Sequence, residues 1–262
     1  MNEVVMLVGN IGTGKGLISS RYAKKGYTVV NMDSIQASMS GGEYGLYDPL
    51  KKDIYRCVEH TIIEMSLKRD ISVCIDRMNI DVNIRKRYVD FIKSMFRDVD
   101  FICYDFGMGN DFAFERRLKN NRNIPDDVWE SVYEYNKKKY EKPTKKEGFK
   151  EIIDMQNVKY KYYAFDFYGT IVKHKFPEIG ERNESVIDYM YKLSQDHKNI
   201  IIIWSCRSGN YENIMRKFLL TNKIPFDFIN ENPMFDTGSK KIFVHKYYDD
   251  RAKLVRDGFI IE

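Results

Sequence analysis

Short apolar runs alternate with longer amphipathic stretches along the first part of the chain. Runs rich in β-branched residues predict strands, and stretches with apolar positions three or four residues apart predict helices. The predicted strands are Val4–Val8, Thr28–Met32, Ile71–Ile75 and Asp100–Asp105, and the predicted helices are Lys15–Lys24, Leu50–Lys68 and Val82–Phe96. Strands that alternate with helices in this way indicate a parallel sheet.

Two more helices are predicted after the fourth strand, at Asp111–Asn121 and Asp126–Lys139, with Pro125 at the start of the second. We expect them to cap the sheet rather than join it. The stretch Lys142–Gly148 that follows combines proline, glycine and lysines, which is typical of a solvated connector. A domain boundary after this connector predicts one domain over residues 1–156 and another over residues 157–262.

A second pattern of strands and helices fills the rest of the chain. Its predicted elements are strand Tyr162–Asp166, helix Glu184–His197, strand Ile200–Trp204, helix Tyr211–Asn222, strand Phe243–Tyr248, helix Arg251–Arg256 and strand Phe259–Ile261. They predict a small Rossmann-like sheet. The fold class predicted for the chain is therefore α/β, with two parallel-sheet domains in succession.

Composition and charge narrow the class of protein. The 262 residues are 43% hydrophobic, which is enough for two packed cores. The longest apolar runs are far shorter than the roughly 20 residues of a membrane helix, and the first residues lack the pattern of a secretory signal, so we expect a cytoplasmic protein. Four widely spaced cysteines favour reduced thiols, and the formal charge of +5 is compatible with a polyanionic partner.

The sequence GNIGTGK, which begins at Gly9, matches the phosphate-binding pattern G-x-x-x-x-G-K between a predicted strand and a predicted helix. Backbone N–H groups of such a loop surround nucleotide phosphates, and the lysine adds positive charge. Gly16 stands where the pattern has a Ser or Thr that helps to hold Mg²⁺, so we expect weaker metal binding, or binding through water and phosphate oxygens. The predicted ATP-binding residues are Gly9, Gly12, Thr13, Gly14, Lys15 and Gly16.

Charged residues near the ends of later strands complete this candidate site. Asp33 and Asp76 each follow or end a predicted strand, so both carboxylates are expected at the same sheet edge as the phosphate loop. One of them can accept a proton from an attacking hydroxyl. Arg116, Arg117 and Arg122 lie on or after the next helix, and we assign Arg117 and Arg122 to transition-state charge stabilisation. Ordinary caps, turns and exposed helix positions are the alternatives.

The first half of the chain resembles the kinase domain of phage polynucleotide kinase-phosphatases. The shared features are the P-loop, the segments Asn31–Asp33 and Asp76–Asn79, and the arginine-bearing helix. The resemblance implies that Asp33 is the general base for a 5′-hydroxyl and that the arginines bind phosphates. Gln36 stands where the family has an arginine for the substrate phosphate, which leaves the acceptor open. The predicted substrate-binding residues of this domain are Gln36, Asp76 and Asn79.

The segment YAFDFYGT, from Tyr163 to Thr170, resembles the D-x-D-G-T nucleophile loop of haloacid-dehalogenase phosphatases. Ser205, Lys241 and the pair Asp249–Asp250 follow in the order that this superfamily requires. A carboxylate nucleophile takes the phosphoryl group as an aspartyl-phosphate, and an acidic pair helps to hold Mg²⁺ against it. The predicted nucleophile is Asp166, the predicted metal ligands are Asp166, Asp249 and Asp250, and the predicted phosphoryl-binding residues are Thr170, Ser205 and Lys241.

Three more segments, Phe176–Gly180, Trp204–Arg207 and Asn230–Pro233, resemble a small, nearly capless branch of that superfamily. Tyr168 stands where the family has its general acid/base aspartate, whose help is worth roughly 10²–10⁴-fold in rate. We expect a weak or inactive phosphatase that stalls as an aspartyl-phosphate. A scaffold domain in which Asp166 is only a turn residue is an equal alternative.

The leading hypothesis is an enzyme that uses ATP and Mg²⁺ to phosphorylate 5′-hydroxyl ends of DNA or RNA, with an altered 3′-phosphatase domain. A kinase of a small nucleoside or nucleotide is one alternative, and a nucleotide-binding regulatory module without turnover is the other. The expected partners are nucleic-acid ends and no membrane. The resemblance implies a viral origin and hence the host cytoplasm. The choice between DNA and RNA is open, as is a homo-oligomeric state.

Overall fold

A computed structural model describes residues 2–43, 46–235, 237–252, 254–256 and 259–261. The chain divides into two compact units, Met1–Val158 and Lys159–Glu262. Each unit has its own parallel sheet and its own apolar core, which confirms the predicted α/β class. Within the described residues, no helix combines the length and the apolar character needed to cross a bilayer.

The first unit is a five-stranded parallel sheet with helices between the strands. Its elements are β1 (Asn2–Val8), α1 (Lys15–Lys24), β2 (Thr28–Val30), α2 (Met32–Ser38), α3 (Lys52–Leu67), β3 (Val73–Asp76), α4 (Val82–Met95), β4 (Val99–Asp105), α5 (Asp111–Lys119), α6 (Asp126–Lys139) and β5 (Glu151–Asp154). Short 3₁₀ turns precede α3 and β5, at Pro49–Lys51 and Lys145–Glu147. The strand order is β2-β3-β1-β4-β5, and all pairs are parallel.

Strand β1 lies at the centre of this sheet because its apolar run, Val4–Val8, is buried completely. A strand covered on both faces by helices reads as a continuous apolar run, which is the pattern seen here. The core on the sheet includes Ile63 of α3 and Ile92 of α4, both 0% exposed. Since all five strands are parallel, their carboxyl ends meet at one edge, and the loops at that edge can form a site.

The segment Lys142–Gly148 is not the solvated connector that its composition predicts. Glu147 is 5% exposed, and its carboxylate accepts hydrogen bonds from Arg85 at 2.6 and 3.2 Å and from the Thr144 backbone N–H at 2.7 Å. The composition of the segment is misleading because the lysines dominate it, whereas the single acid, Glu147, is buried and paired with Arg85. Strand β5, which sequence reasoning missed, follows this segment and pairs with β4.

The second unit has a four-stranded parallel sheet and a separate antiparallel pair. Its elements are β6 (Lys161–Phe165), α7 (Glu184–Ser194), β7 (Asn199–Ile203), α8 (Asn210–Thr221), β8 (Phe228–Ile229), β9 (Lys246–Tyr248), β10 (Leu254–Arg256) and β11 (Phe259–Ile261). The order in the sheet is β8-β7-β6-β9. Strand β7 is buried throughout, and its isoleucines pack with apolar residues of α7 and α8.

The helix predicted at Arg251–Arg256 is wrong. Leu254–Arg256 forms β10, which pairs antiparallel with β11 in the register Val255 to Ile260; residues 253 and 257–258 lie outside the described part of the chain. A six-residue helix is too short to be stable by itself, whereas β-branched residues on either side of a short connection favour strand pairing. The strand predicted at Phe243–Tyr248 is also shorter than expected, since β9 begins at Lys246.

The buried Arg85–Glu147 pair gives a stability prediction. Glu147→Gln keeps an oxygen for the Thr144 N–H but leaves the Arg85 guanidinium, which is 0% exposed, without an opposite charge. We expect the free energy of unfolding of the first unit to fall by about 3–5 kcal/mol. Denaturant-dependent hydrogen exchange of β4 and α4 amides measures it.

The matched control is Glu134→Gln, which removes an exposed ion pair with Lys137 at 3.0 Å. An exposed pair of this kind contributes less than about 1 kcal/mol. Equal losses in the two variants would contradict the assignment of Glu147 as a buried charge partner.

Candidate active sites in the two units

The phosphate loop between β1 and α1 has a backbone that requires glycine. Gly12 and Gly14 have φ values of 71° and 101°, which side-chain-bearing residues rarely adopt. A Cβ on Gly12 would also lie 1.9 Å from the carbonyl oxygen of Ala113. Gly14 is the N-cap of α1 and supplies no side-chain cap, so the backbone N–H groups at this helix end are arranged as in anion sites.

The Lys15 ammonium is folded back onto the loop. Its Nζ donates hydrogen bonds to the backbone oxygens of Gly9 at 2.8 Å and Asn10 at 2.6 Å. Burial lowers the pKa of Lys15 to about 8, and Asp76 opposes this lowering more strongly than Asp33 does. Two carboxylates therefore act on one partly desolvated ammonium.

The two aspartates come from neighbouring strand ends, as their positions in the sequence predict. Asp76 ends β3, and Asp33 lies in the first turn of α2, directly after β2. Asn31 joins these positions, because its side-chain oxygen caps α2 through the Ser34 N–H at 3.0 Å and its Nδ2 donates to the Asp76 backbone oxygen at 3.1 Å. This connection places both carboxylates at the carboxyl edge of the sheet.

The predicted arginines are distributed over α5 and the loop that follows it. Arg116 donates through Nε to the Gly12 oxygen at 2.9 Å, and a second nitrogen of the same guanidinium contacts that oxygen. The Arg117 guanidinium lies 4.8 Å from the centre of the Trp129 ring. Both arginines lower the pKa of Lys15, because their positive charges disfavour a third positive charge in the phosphate loop.

Arg122 has a different position from its neighbours. It has a left-handed backbone with φ of 56°, and its guanidinium donates to the Asp33 carboxylate at 3.1 Å. The side chains of Arg122 and Asp33 are 36% and 49% exposed. The segment after α5 therefore reaches across to the start of α2.

Asn10, which sequence reasoning missed, connects the loop to α6. Its side chain is fully buried and donates to the backbone oxygens of Met108 and Tyr133, both at 3.0 Å, while its Oδ1 accepts from Asn136 at 2.8 Å. Asn10 occupies a variable position of the glycine-rich pattern, so the motif alone gives no signal. The apolar strand that precedes Asn10 is the one sequence feature that indicates burial of its side chain.

Asn79 and Gln36 were both predicted to bind substrate. The structure places Asn79 in a buried position, 3% exposed, where its Nδ2 donates to the Leu7 oxygen at 2.9 Å. Asn79 therefore joins the ends of β1 and β3 beneath the site. Gln36 lies half-buried on α2, three residues after Asp33 and hence on the same side of the helix.

Three carboxylates of the second unit lie together at the ends of adjacent strands. Asp166 follows β6, Asp249 and Asp250 follow β9, and one oxygen from each lies within 4.8 Å of the others. Burial raises the pKa of Asp166 to about 6, with smaller contributions from the other two carboxylates. A Cβ on Gly169 would lie 2.3 Å from an Asp250 oxygen, so this close approach requires glycine.

Carboxylate oxygens are the ligands that Mg²⁺ prefers, and the three converging acids therefore fit such an ion. When bound, Mg²⁺ would neutralise the acids and the charge of a phosphoryl group. In the described part of the chain, the acids that form this cluster are those the sequence predicts, namely Asp166, Asp249 and Asp250.

The predicted phosphoryl-binding residues of this unit differ in burial and in their hydrogen bonds. Thr170 is 7% exposed, and its Oγ1 accepts from the Asp250 N–H at 3.1 Å. Ser205 follows β7, and its N–H donates to the Asn230 side chain at 2.8 Å. Lys241 is exposed, with Nζ at 5.5 Å from the centre of the Tyr247 ring. Thr170 and Ser205 thus lie in loops at the sheet edge that carries Asp166.

The Tyr168 hydroxyl is bonded to backbone oxygens. It donates to Pro177 and Glu178 at 3.1 and 2.9 Å, and the Arg207 guanidinium lies 4.5 Å from the centre of its ring. A phenol whose proton is held in this way is poorly placed to protonate a leaving group. The expectation of a weak or inactive phosphatase stays a prediction.

No protein-family model matches the chain, and no curated protein matches it. A chain of the Pnkp1/Rnl/Hen1 RNA repair complex is 19% identical over 87% of this chain and 78% of that one, with a TM-score of 0.42. A conserved protein from Bacteroides thetaiotaomicron is 29% identical over 36% of this chain and 78% of that one, with a TM-score of 0.32. A gluconokinase from Sinorhizobium meliloti 1021 is 18% identical, with coverages of 58% and 81% and a TM-score of 0.36. Likenesses this distant carry no conclusion about function.

Gly16 gives a prediction about metal binding in the first unit. A Cβ at this position meets nothing within 4 Å, so Gly16→Ser adds the missing hydroxyl without a clash. One polar contact of about 1 kcal/mol lowers the Mg²⁺ concentration for half-maximal ATP binding roughly fivefold. A Mg²⁺ titration of ATP binding by calorimetry measures it. Gly16→Ala also replaces the glycine with a better helix former but adds no hydroxyl, and an equal response to both changes would refute the role of the hydroxyl.

Tyr168 gives a prediction about the second unit. Tyr168→Asp introduces a carboxyl group that can protonate a leaving oxygen and activate water, so the release of a 3′-phosphate from an oligonucleotide should rise about 10²-fold or more. Tyr168→Asn is the matched control, because both variants lose the bonds to Pro177 and Glu178. A wild-type rate as high as that of the aspartate variant would show that this unit needs no carboxyl group here.

Proposed function

We propose that the first domain, residues 1–156, transfers the γ-phosphate of ATP to the 5′-hydroxyl end of DNA or RNA. The second domain, residues 157–262, is an altered 3′-phosphatase. The observation that carries the proposal is the glycine-rich loop at the amino end of α1, where Asp33, Asp76, Arg116 and Arg117 are close enough for their charges to act on the Lys15 ammonium. Phosphoryl transfer needs this combination of anion site, proton acceptor and surplus positive charge.

The phosphate loop binds the nucleotide in this proposal. Gly9, Gly12, Thr13, Gly14, Lys15 and Gly16 surround the β- and γ-phosphates through backbone N–H groups and one ammonium. Lys15 exchanges its contacts with the Gly9 and Asn10 oxygens for phosphate oxygens. Because Gly16 offers no hydroxyl, Mg²⁺ would bind through water and phosphate oxygens and would reduce the negative charge at the γ-phosphate.

The ion pair between Arg122 and Asp33 separates when the nucleotide enters. A pair this exposed is worth less than about 1 kcal/mol, so a triphosphate with several negative charges can draw Arg122 away. The Asp33 carboxylate then accepts the proton of the 5′-hydroxyl, whose oxygen attacks the γ-phosphorus. The bond to the β–γ bridging oxygen breaks, and Arg117 and Arg122 stabilise the charge on the departing diphosphate.

Gln36 and Asp76 contact the acceptor in this proposal, while Asn79 acts from beneath by holding the ends of β1 and β3 together. Gln36 provides a neutral amide and hence a weaker hold on an acceptor phosphate than an arginine. Affinity for the acceptor strand is therefore modest.

In the second domain, an Asp166 oxygen attacks the phosphorus of a terminal phosphate and the bond to the sugar oxygen breaks. Thr170 orders the nucleophile loop through Asp250, and Ser205 and Lys241 bind phosphoryl oxygens. The leaving oxygen lacks a carboxylic acid partner at Tyr168, and hydrolysis of the aspartyl-phosphate lacks a base. This domain is slow at both steps.

The test is the mass of an oligonucleotide with a 5′-hydroxyl and a 3′-phosphate after incubation with ATP and Mg²⁺. We expect the gain of one phosphoryl group, abolished by Lys15→Ala and reduced about 10²-fold or more by Asp33→Asn. Asp53→Asn, at a side chain that is 93% exposed, is the matched control and should keep the wild-type rate.

An unchanged mass at high enzyme concentration would contradict the proposal. Phosphorylation of a free nucleoside in the same reaction would identify a small acceptor instead. ATP binding without transfer to either acceptor would identify a nucleotide-binding module.

A further inference from the structure

Two exposed aromatic rings lie beside the nucleophile loop of the second unit. Phe176 is 59% exposed and Tyr211 is 45% exposed, and their ring centres are 5.7 Å apart with the planes tilted by 47°. The Phe176 ring also meets Tyr168 edge-on at 5.9 Å, and Tyr168 is two residues from Asp166. The pair therefore adjoins the loop that carries the acidic site.

One buried guanidinium holds the backbone beside both rings. Arg207 is 5% exposed and donates to the Tyr211 backbone oxygen at 3.0 Å and to the Pro177 oxygen at 2.9 Å. Pro177 follows Phe176, so the backbone beside each exposed ring is held by the same side chain. The Tyr168 hydroxyl adds a second bond to Pro177. A site whose backbone is held in this way loses less conformational entropy when a ligand binds than one on a free loop.

The guanidinium of Arg207 is surrounded by aromatic rings. Its guanidinium carbon lies 4.5 Å from the centre of the Tyr168 ring and 5.6 Å from those of Phe167 and Tyr211. Among the described residues, no carboxylate forms an ion pair with Arg207. The positive charge beside the Tyr211 ring is therefore not neutralised by any described carboxylate, whereas each described ion pair of an arginine or lysine in this unit is with a glutamate.

We propose that Phe176 and Tyr211 form a stacking site for an unpaired nucleobase of single-stranded nucleic acid, with Arg207 attracting the adjoining backbone phosphate. Flat rings beside a cation match a nucleotide, which combines a flat base with a negative charge. Two rings are too small for a protein partner, since a stable protein interface buries about 800 Å² on each side. The inference rests on the proposed function, because it supplies the nucleic-acid end that this unit would hold.

The test measures how tightly the full-length protein binds a single-stranded hexanucleotide with a 5′ fluorescent label and a 3′-hydroxyl, in EDTA. The label blocks the 5′ end, and EDTA prevents both phosphoryl-transfer reactions, so this result does not depend on kinase activity. Fluorescence anisotropy gives the dissociation constant. The same oligonucleotide with an abasic 3′-terminal residue removes one base but keeps the phosphates.

We expect Phe176→Ala and Tyr211→Ala each to raise the dissociation constant roughly tenfold for the intact oligonucleotide and to leave the abasic one nearly unchanged. Leu220→Ala, at another exposed apolar position of α8 (47% exposed), is the matched control and should change neither. Equal weakening of both oligonucleotides, no effect of either ring variant, or no binding by the wild type would overturn the stacking site. A failed kinase assay with intact base-dependent binding would refute only the proposed transfer reaction.

Discussion

The first unit depends on one physical constraint, which is the placement of a partly desolvated ammonium, that of Lys15, at the carboxyl edge of a parallel sheet. Burial disfavours its charge and brings its pKa to about 8. Backbone oxygens of Gly9 and Asn10 stabilise it in the structure. Glycines with a left-handed backbone conformation let the loop curl around the ammonium. Asp33 and Asp76 lie nearby because they follow or end neighbouring strands. A polyphosphate would stabilise the ammonium better than neutral carbonyls do.

In the second unit, the charges that lie close together are negative. Three carboxylates each have one oxygen within 4.8 Å of the others; burial raises the pKa of Asp166, and repulsion by the other two raises it further. Asp166, Asp249 and Asp250 would hold a divalent cation, which would offset this repulsion and favour the ionised form of Asp166. The Tyr168 hydroxyl, bonded to Pro177 and Glu178, cannot serve both these carbonyls and a leaving group. In the proposed reaction, Asp166 captures the phosphoryl group, and position 168 provides no carboxyl group for its release.

Features that depend on local sequence could be predicted, and those that depend on distant contacts could not. Helix α1 has the predicted bounds because its start is fixed by Gly14 and its pattern is local. The ends of parallel strands share an edge in any such sheet, which is why Asp33 and Asp76 could be placed together. The role of Asn10 depends on partners more than 90 residues away, and the burial of Glu147 depends on Arg85. Neither contact can be predicted from the residues that are near in sequence.

Proton uptake on ATP binding tests most directly whether Lys15 receives the nucleotide phosphates. Calorimetry at pH 8 in buffers of different ionisation enthalpy counts the protons. With a pKa of about 8, Lys15 is about half protonated at this pH, and phosphate contact raises its pKa, so about half a proton should be taken up. Lys15→Arg keeps the charge at all accessible pH values and should show almost no uptake. Equal uptake in both proteins, or none in the wild type, would contradict the account.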